Sequence, residues 1–94
     1  MKLLIEKEER NSAKDRILDA GFEDVIVFSD FSYDDAIIGV STDGQAIYAY
    51  DLMVEWLIEN EGMTEEEAME WIDFNTIRSL PYAGENAPII MYYV

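Results

Sequence analysis

The chain has 94 residues, half of them hydrophobic, and a formal net charge of −15, so we predict one acidic domain over residues 1–94 with a real core. It contains no cysteine and no histidine, which excludes disulfides, metal sites built on those residues and nucleophiles activated by histidine. The N-terminus is too charged for a signal peptide and no apolar run reaches membrane-spanning length. We therefore expect a cytoplasmic protein without a membrane partner.

The first helix is predicted in "NSAKDRILDAG". Ser12 can cap it, Gly21 can stop it, and one face carries Ala13, Ile17 and Leu18. Whether residues 2–9 extend this helix stays open. The apolar run "VIVF", residues 25–28, predicts a short buried strand, followed by a polar loop at 30–35.

The next segment predicts a β-hairpin. Two runs typical of strands, residues 36–40 and 45–50, flank Asp43 and Gly44, which tolerate the positive φ of a tight turn.

Two helices follow the hairpin. Asp51 is predicted to cap the first, which Gly62 ends.

The second of these helices is predicted from a capping box. Thr64 precedes Glu67 by three residues, and we expect the helix to end near residues 75–77. "IIMYYV", residues 89–94, predicts a terminal strand. The order α-β-β-β-α-α-β favours an α+β fold, a two-layer sandwich of a four-stranded, mostly antiparallel sheet with two or three helices.

The charges are strongly segregated. Five of the six bases lie within the first 16 residues and the sixth is Arg78, so Ile17 to Ile77 contains 16 acids and no base. Acids in this stretch must face solvent, the few bases outside it, metal ions or a partner. Such a field repels nucleic acid and attracts basic proteins, so we expect no direct binding to nucleic acid.

Two rows of acids stand at helical spacing. Residues three or four apart share a helix face, and ordinary exposed helices relieve the repulsion with lysines, which are absent here. A solvated acidic face and a row of carboxylates in the place of phosphates both fit the pattern. The rows are Asp51, Glu55 and Glu59 on one helix, and Glu66, Glu70 and Asp73 on the next.

Apolar residues on the second helix define its predicted inward stripe. Ala68, Met69 and Ile72 are expected to be buried. Trp71 and Phe74 lie off that stripe, so they either pack on the other helix or serve as exposed anchors for a partner. The predicted partner-binding residues are Asp51, Glu55, Glu59, Glu66, Glu70, Asp73, Trp71 and Phe74.

The acids do not predict catalysis or a dedicated metal site. Asp30 to Asp35 resembles a cation loop, but the EF-hand pattern fails because Asp35 replaces its glycine and Ser41 its last glutamate. Whether this loop binds a cation weakly stays open. No nucleophile, phosphate loop or ligand spacing is present, so we predict no catalytic residue, no cofactor and no enzyme activity.

From about Asp34 to Tyr92 the chain resembles small acidic proteins encoded by phages and prophages of Gram-positive bacteria. The segments that carry the resemblance are "AIIGVSTDGQAIYAYD", "MTEEEAMEWIDFNTIRSLPYAG" and "APIIMY". The resemblance implies a mobile-element origin. Because small acidic phage proteins often inhibit host defence, as anti-CRISPR and anti-restriction proteins do, it favours a DNA mimic.

The predicted function is therefore inhibition by binding. The protein would occupy the basic nucleic-acid groove of a host defence protein, such as a CRISPR or restriction nuclease. The alternative is a phage interaction module that binds its partner through apolar and aromatic contacts without mimicry.

Overall fold

The structure is a computed structural model that describes residues 13–28 and 31–94. It is an α+β fold, as predicted, with three helices and a three-stranded sheet in that part of the chain. Their order is α1 (Ala13–Asp19), β1 (Ile37–Val40), β2 (Ala46–Ala49), α2 (Tyr50–Glu61), α3 (Glu65–Trp71) and β3 (Ile89–Met91). Helix α3 continues through a π-helical segment, Ile72–Thr76, into one more α-helical turn, Ile77–Ser79. Two short 3-10 turns lie at Asp34–Ala36 and Leu80–Tyr82.

The hairpin is confirmed. Strands β1 and β2 pair antiparallel, with Val40 opposite Ala46 and an irregularity between Ile37 and Gly39. The connecting turn is closed by a hydrogen bond from the Gly44 amide to the Ser41 carbonyl (2.9 Å), and Gly44 has a φ of 85°. A glycine takes that conformation without a Cβ clash, so the sequence specifies this turn locally.

The predicted four-stranded, mostly antiparallel sheet is not what the structure shows. The strand order is β1-β2-β3, and β3 pairs parallel to β2, with Ile47 beside Ile89, so the sheet is mixed. Residues 25–28 form no strand. The Phe28 amide instead donates to the Tyr48 hydroxyl (3.0 Å), which satisfies it without a ladder partner.

The structure confirms part of the predicted apolar face of α1. Ala13 and Ile17 are buried, but Leu18 is 50% exposed and lies off the core. Gly21, with a φ of 97°, follows the last turn as predicted. The proposed cap at Ser12 and the extension over residues 2–9 lie outside the described residues.

Helix α2 begins two residues earlier than predicted, at Tyr50 instead of Leu52. Ala49 is its N-cap and makes no side-chain hydrogen bond, so the prediction that Asp51 caps the helix is wrong. Asp51 lies instead within the first turn, where a negative charge is favoured by the helix dipole. Gly62 ends the helix in the left-handed conformation, as predicted (φ 70°).

The capping box of α3 is confirmed. The Glu67 amide donates to Thr64 Oγ1 (3.1 Å), and the Thr64 amide donates to Glu67 Oε1 (2.9 Å). The predicted end of the helix at residues 75–77 is too early, because the chain stays helical through the π-helical segment to Ser79.

The core lies between the helices and one face of the sheet. Its largest fully buried side chains are Tyr33, Tyr48, Met53, Leu57 and Ile72. Burial of a side chain such as that of Leu57 contributes about 2 kcal/mol, so packing rather than helix propensity holds α2 in place. No helix in residues 13–28 and 31–94 has both the length and the apolar character needed to cross a membrane.

Candidate acidic interface

Helix α2 presents its row of acids on the side away from the core. Asp51, Glu55 and Glu59 are exposed, which confirms their predicted exposure. At 100° per residue the row lies opposite the buried side of the helix, which consists of Tyr50, Met53, Val54 and Leu57. Successive carboxylates of this row are about 6 Å apart along the axis.

Helix α3 and the π-helical segment that follows it also carry a row of exposed acids. Glu66, Glu70 and Asp73 are exposed, as predicted, and Ile72 is buried. Met69 is 40% exposed, so the prediction that it is buried is wrong. The buried stripe is narrower than predicted and runs through Ala68, Ile72 and Thr76, each four residues from the last.

A hydrogen bond fixes how the two helices lie together. The Tyr50 hydroxyl donates to Asp73 Oδ1 (3.0 Å), which joins the start of α2 to the π-helical segment that follows α3. A three-residue turn joins the opposite ends of the helices. The two helices are therefore antiparallel.

The same hydrogen bond changes the titration of the phenol. Burial, together with the neighbouring Asp73 carboxylate, raises the pKa of Tyr50 to about 12. Tyr50 thus remains a neutral donor over the physiological range. Asp73 is the one acid of the two rows for which a hydrogen bond to the body of the protein is seen in the described residues, so its carboxylate is positioned rather than free.

The two aromatic candidates are in different environments. Trp71 is half-buried and packs against Phe31 with ring centroids 5.3 Å apart, so it belongs to the core side. Phe74 is 59% exposed, and the guanidinium carbon of Arg78 lies 5.7 Å from its ring centroid. Phe74 is therefore the exposed member of the pair, with Arg78 in cation–π contact.

Two surface features adjoin these aromatics. A depression of about 400 Å³ lies beside Phe74, between Met63, Glu67, Glu70, Trp71 and Asn75. A cavity of about 300 Å³ lies on the other side of Trp71. Its polar side chains are those of Tyr33, Asn75, Thr76 and Ser79, and no carboxylate or base of the described residues lines it.

This cavity contains features that the sequence did not reveal. Tyr33 has a φ of 50°, a left-handed conformation that is unfavourable for a bulky residue, and its hydroxyl contacts Thr76 in the π-helical segment. π-helical segments and strained residues often accompany functional sites. The sequence signal that could have indicated this contact is the position of Thr76, four residues after Ile72 on the buried stripe.

The described residues contain no group of three acids positioned to hold a metal ion. Asp30 of the predicted cation loop lies outside them.

No protein-family model matches this chain, and neither a curated protein nor a solved structure is similar to it. The site must therefore be interpreted from its own chemistry.

Proposed function

We propose that this protein inhibits a basic nucleic-acid-binding protein by covering its groove with the outer faces of α2 and α3. One observation carries the proposal. Between Tyr50 and Ile77 the chain has nine carboxylates and no base, and all six acids of the two predicted rows are exposed. An anionic face without internal countercharges attracts a cationic surface over a long range.

The spacing of the charges supports mimicry of nucleic acid. The acids of each row are about 4.5–6 Å apart along the axis, so two rows side by side would present roughly one charge per 3 Å of helix axis. One strand of DNA carries about one charge per 3.4 Å. The face thus matches the linear charge density of a single strand and spans about 12 Å from Asp51 to Glu59, the length of a few nucleotides.

The partner follows from charge and from the phage resemblance. A host defence nuclease, of the CRISPR or restriction type, has a basic channel for nucleic acid and fits both. In this proposal the protein acts in the cytoplasm of the host cell, binds no nucleic acid itself and performs no catalysis. The aromatic residues beside the acids, Trp71 and Phe74, would contact the apolar rim of the channel.

The decisive experiment compares two charge-matched variants. One carries Glu55→Gln, Glu59→Gln, Glu66→Gln and Glu70→Gln. The other carries Glu23→Gln, Asp24→Asn, Asp43→Asn and Glu85→Gln, which remove four exposed acids outside α2 and α3. Each exposed ion pair contributes about 0.2–1 kcal/mol, so the loss of four pairs in the first variant should weaken inhibition of the target nuclease by at least about fourfold.

The control variant should retain nearly all inhibition, because it keeps both rows. Inhibition by the parent should weaken steeply between low and high salt. Equal inhibition by both variants, or binding that does not change with salt, would rule out mimicry.

A specific observation favours the second candidate, recognition of a partner through apolar contacts. Phe74 is 59% exposed and borders the depression beside Met63 and Trp71. In that case Phe74→Ala would abolish binding, whereas the four glutamine substitutions and added salt would leave it intact. The two candidates therefore make opposite predictions for the same set of variants.

A further inference from the structure

An exposed aromatic ring lies near the one positioned carboxylate of the acidic face. The rings of Tyr92 and Tyr50 have centroids 4.9 Å apart with an interplanar angle of 37°. Tyr50 is buried, and its hydroxyl holds Asp73, whereas Tyr92 is 60% exposed. Tyr50 thus lies between the exposed ring of Tyr92 and the hydrogen-bonded carboxylate of Asp73.

This combination suits one kind of ligand. The face of a tyrosine ring attracts cations, and a carboxylate accepts hydrogen bonds from them. Asp73 Oδ1 already accepts from Tyr50, which leaves Oδ2 and the remaining lone pair of Oδ1. A planar guanidinium can stack on a ring and donate several hydrogen bonds in fixed directions, whereas the compact ammonium of lysine cannot stack.

The chain itself contains a similar pairing. Arg78 lies over the Phe74 ring at 5.7 Å, so an arginine already occupies an aromatic face next to this region. Tyr92 packs on Tyr50, which bonds Asp73, and the chain between Tyr50 and Ile77 has nine acids and no base. Charge complementarity therefore favours a cationic side chain from a partner on the open ring.

We infer that Tyr92 and Asp73 form a binding site for an arginine side chain of the partner, with Tyr50 as the positioning residue. The inference rests on the proposed function, because it assumes that a basic surface approaches α2 and α3. It adds a chemical preference: the face recognises arginine rather than positive charge in general.

The test uses capped hexa-arginine and hexa-lysine peptides as probes and measures their dissociation constants by titration calorimetry at fixed salt. The parent should bind hexa-arginine more tightly than hexa-lysine. Tyr92→Leu should weaken the binding of hexa-arginine by about two- to fivefold and should change the binding of hexa-lysine less. Tyr93→Leu is the matched control, because Tyr93 is the next residue and is also exposed (54%). It should preserve the preference for arginine.

A second pair of variants tests the carboxylate. Asp73→Asn keeps an oxygen that accepts from Tyr50, so the fold is retained, but it removes the charge. Glu70→Gln removes one charge from the same face without touching Tyr50. Asp73→Asn should weaken the binding of hexa-arginine more than Glu70→Gln does. Circular dichroism checks that each variant is folded.

The outcomes separate the two proposals. Equal loss for Tyr92→Leu and Tyr93→Leu, or equal loss for both peptides, overturns the arginine site whatever the acidic rows do. Unchanged binding of both peptides by the variant that lacks Glu55, Glu59, Glu66 and Glu70 counts against the acidic face. In that case Tyr92→Leu still shows whether the preference for hexa-arginine over hexa-lysine depends on Tyr92. The arginine site is therefore tested independently of the acidic rows.

Discussion

The hydroxyl oxygen of Tyr33 lies 2.9 Å from Oγ1 of Thr76, and both side chains are buried. The bond joins the segment before β1 to the π-helical segment after α3, which are 43 residues apart in sequence. It gives each hydroxyl a partner inside the core, where an unpaired polar group is costly. Tyr33 holds its positive φ at this same point, so the contact stabilises a strained backbone.

Removing either partner should destabilise the protein. We expect Tyr33→Phe, which removes the hydrogen-bond partner of the buried Thr76 hydroxyl, to lower the free energy of unfolding by about 1–3 kcal/mol. Thr76→Val should also lower it, because the hydrogen bond between the two side chains is lost. The double variant should lose less than the sum of the two. Urea unfolding of all four proteins measures this coupling, and strictly additive losses would show that the hydroxyls do not depend on each other.

Two residues at the starts of α2 and α3, Asp51 and Thr64, should differ in importance. Thr64→Ala removes the Oγ1 that accepts from the Glu67 amide in the capping box, so it should cost about 1 kcal/mol. Asp51 makes no cap bond and is exposed next to Glu55, so Asp51→Ala should cost less than half as much. Thermal unfolding measures both. A larger loss for Asp51→Ala would mean that its charge, rather than a cap bond, holds the start of α2.

The features that the sequence predicted correctly are those with a local cause. Gly44 in the hairpin turn, Gly62 at the end of α2 and the pair Thr64 and Glu67 each act within a few residues, so spacing is sufficient to identify them. The acidic rows were also predictable as exposed, because helix periodicity separates them from Ile72 and Ala68.

The features that the sequence did not predict depend on distant contacts. Residues 25–28 have a strand composition, yet the Phe28 amide is satisfied by the Tyr48 hydroxyl instead of a neighbouring strand. The parallel pairing of β3 depends on where the loop after Ser79 returns the chain. The contacts of Tyr50 with Asp73 and Tyr92 likewise join three separate segments, so the candidate arginine site had no sequence signature.

Stability should fall at alkaline pH because of two phenols. Burial is the main cause that raises the pKa of Tyr48 and of Tyr50 to about 12, whereas an unfolded tyrosine titrates near 10. A raised folded pKa gives stability that is complete below the unfolded value and is lost as pH rises through the folded one. The free energy of unfolding should therefore decrease between pH 10 and 12.

Absorbance at 295 nm checks the assignment. In the folded protein the phenols of Tyr48 and Tyr50 should ionise later than an unfolded tyrosine, and Tyr50→Phe should lower the number of late-ionising phenols by one. If Tyr50→Phe left the number of late phenols unchanged, the Tyr50 hydroxyl would not be held by Asp73 in the way the hydrogen bond indicates.

The repulsion between acids on α2 and α3 should make stability depend on salt. Asp51 and Glu55, Glu55 and Glu59, and Glu66 and Glu70 are like-charged pairs four residues apart, each unfavourable by about 0.2–0.5 kcal/mol at low salt. Salt screens such exposed charges. The melting temperature of the parent should therefore rise as NaCl increases from about 10 to 150 mM, over which the Debye length falls from about 30 to 8 Å.

The variant with glutamine at positions 55, 59, 66 and 70 should show a smaller rise and should be at least as stable as the parent at low salt. The gain is limited, because Glu66 also stands in the first turn of α3, where the helix dipole favours a carboxylate by about 0.3–1 kcal/mol. Scanning calorimetry of both proteins at the two salt concentrations measures the difference. If the variant melts lower at both, these carboxylates contribute to folding, and any loss of partner binding in the same variant must first be corrected for the unfolded fraction.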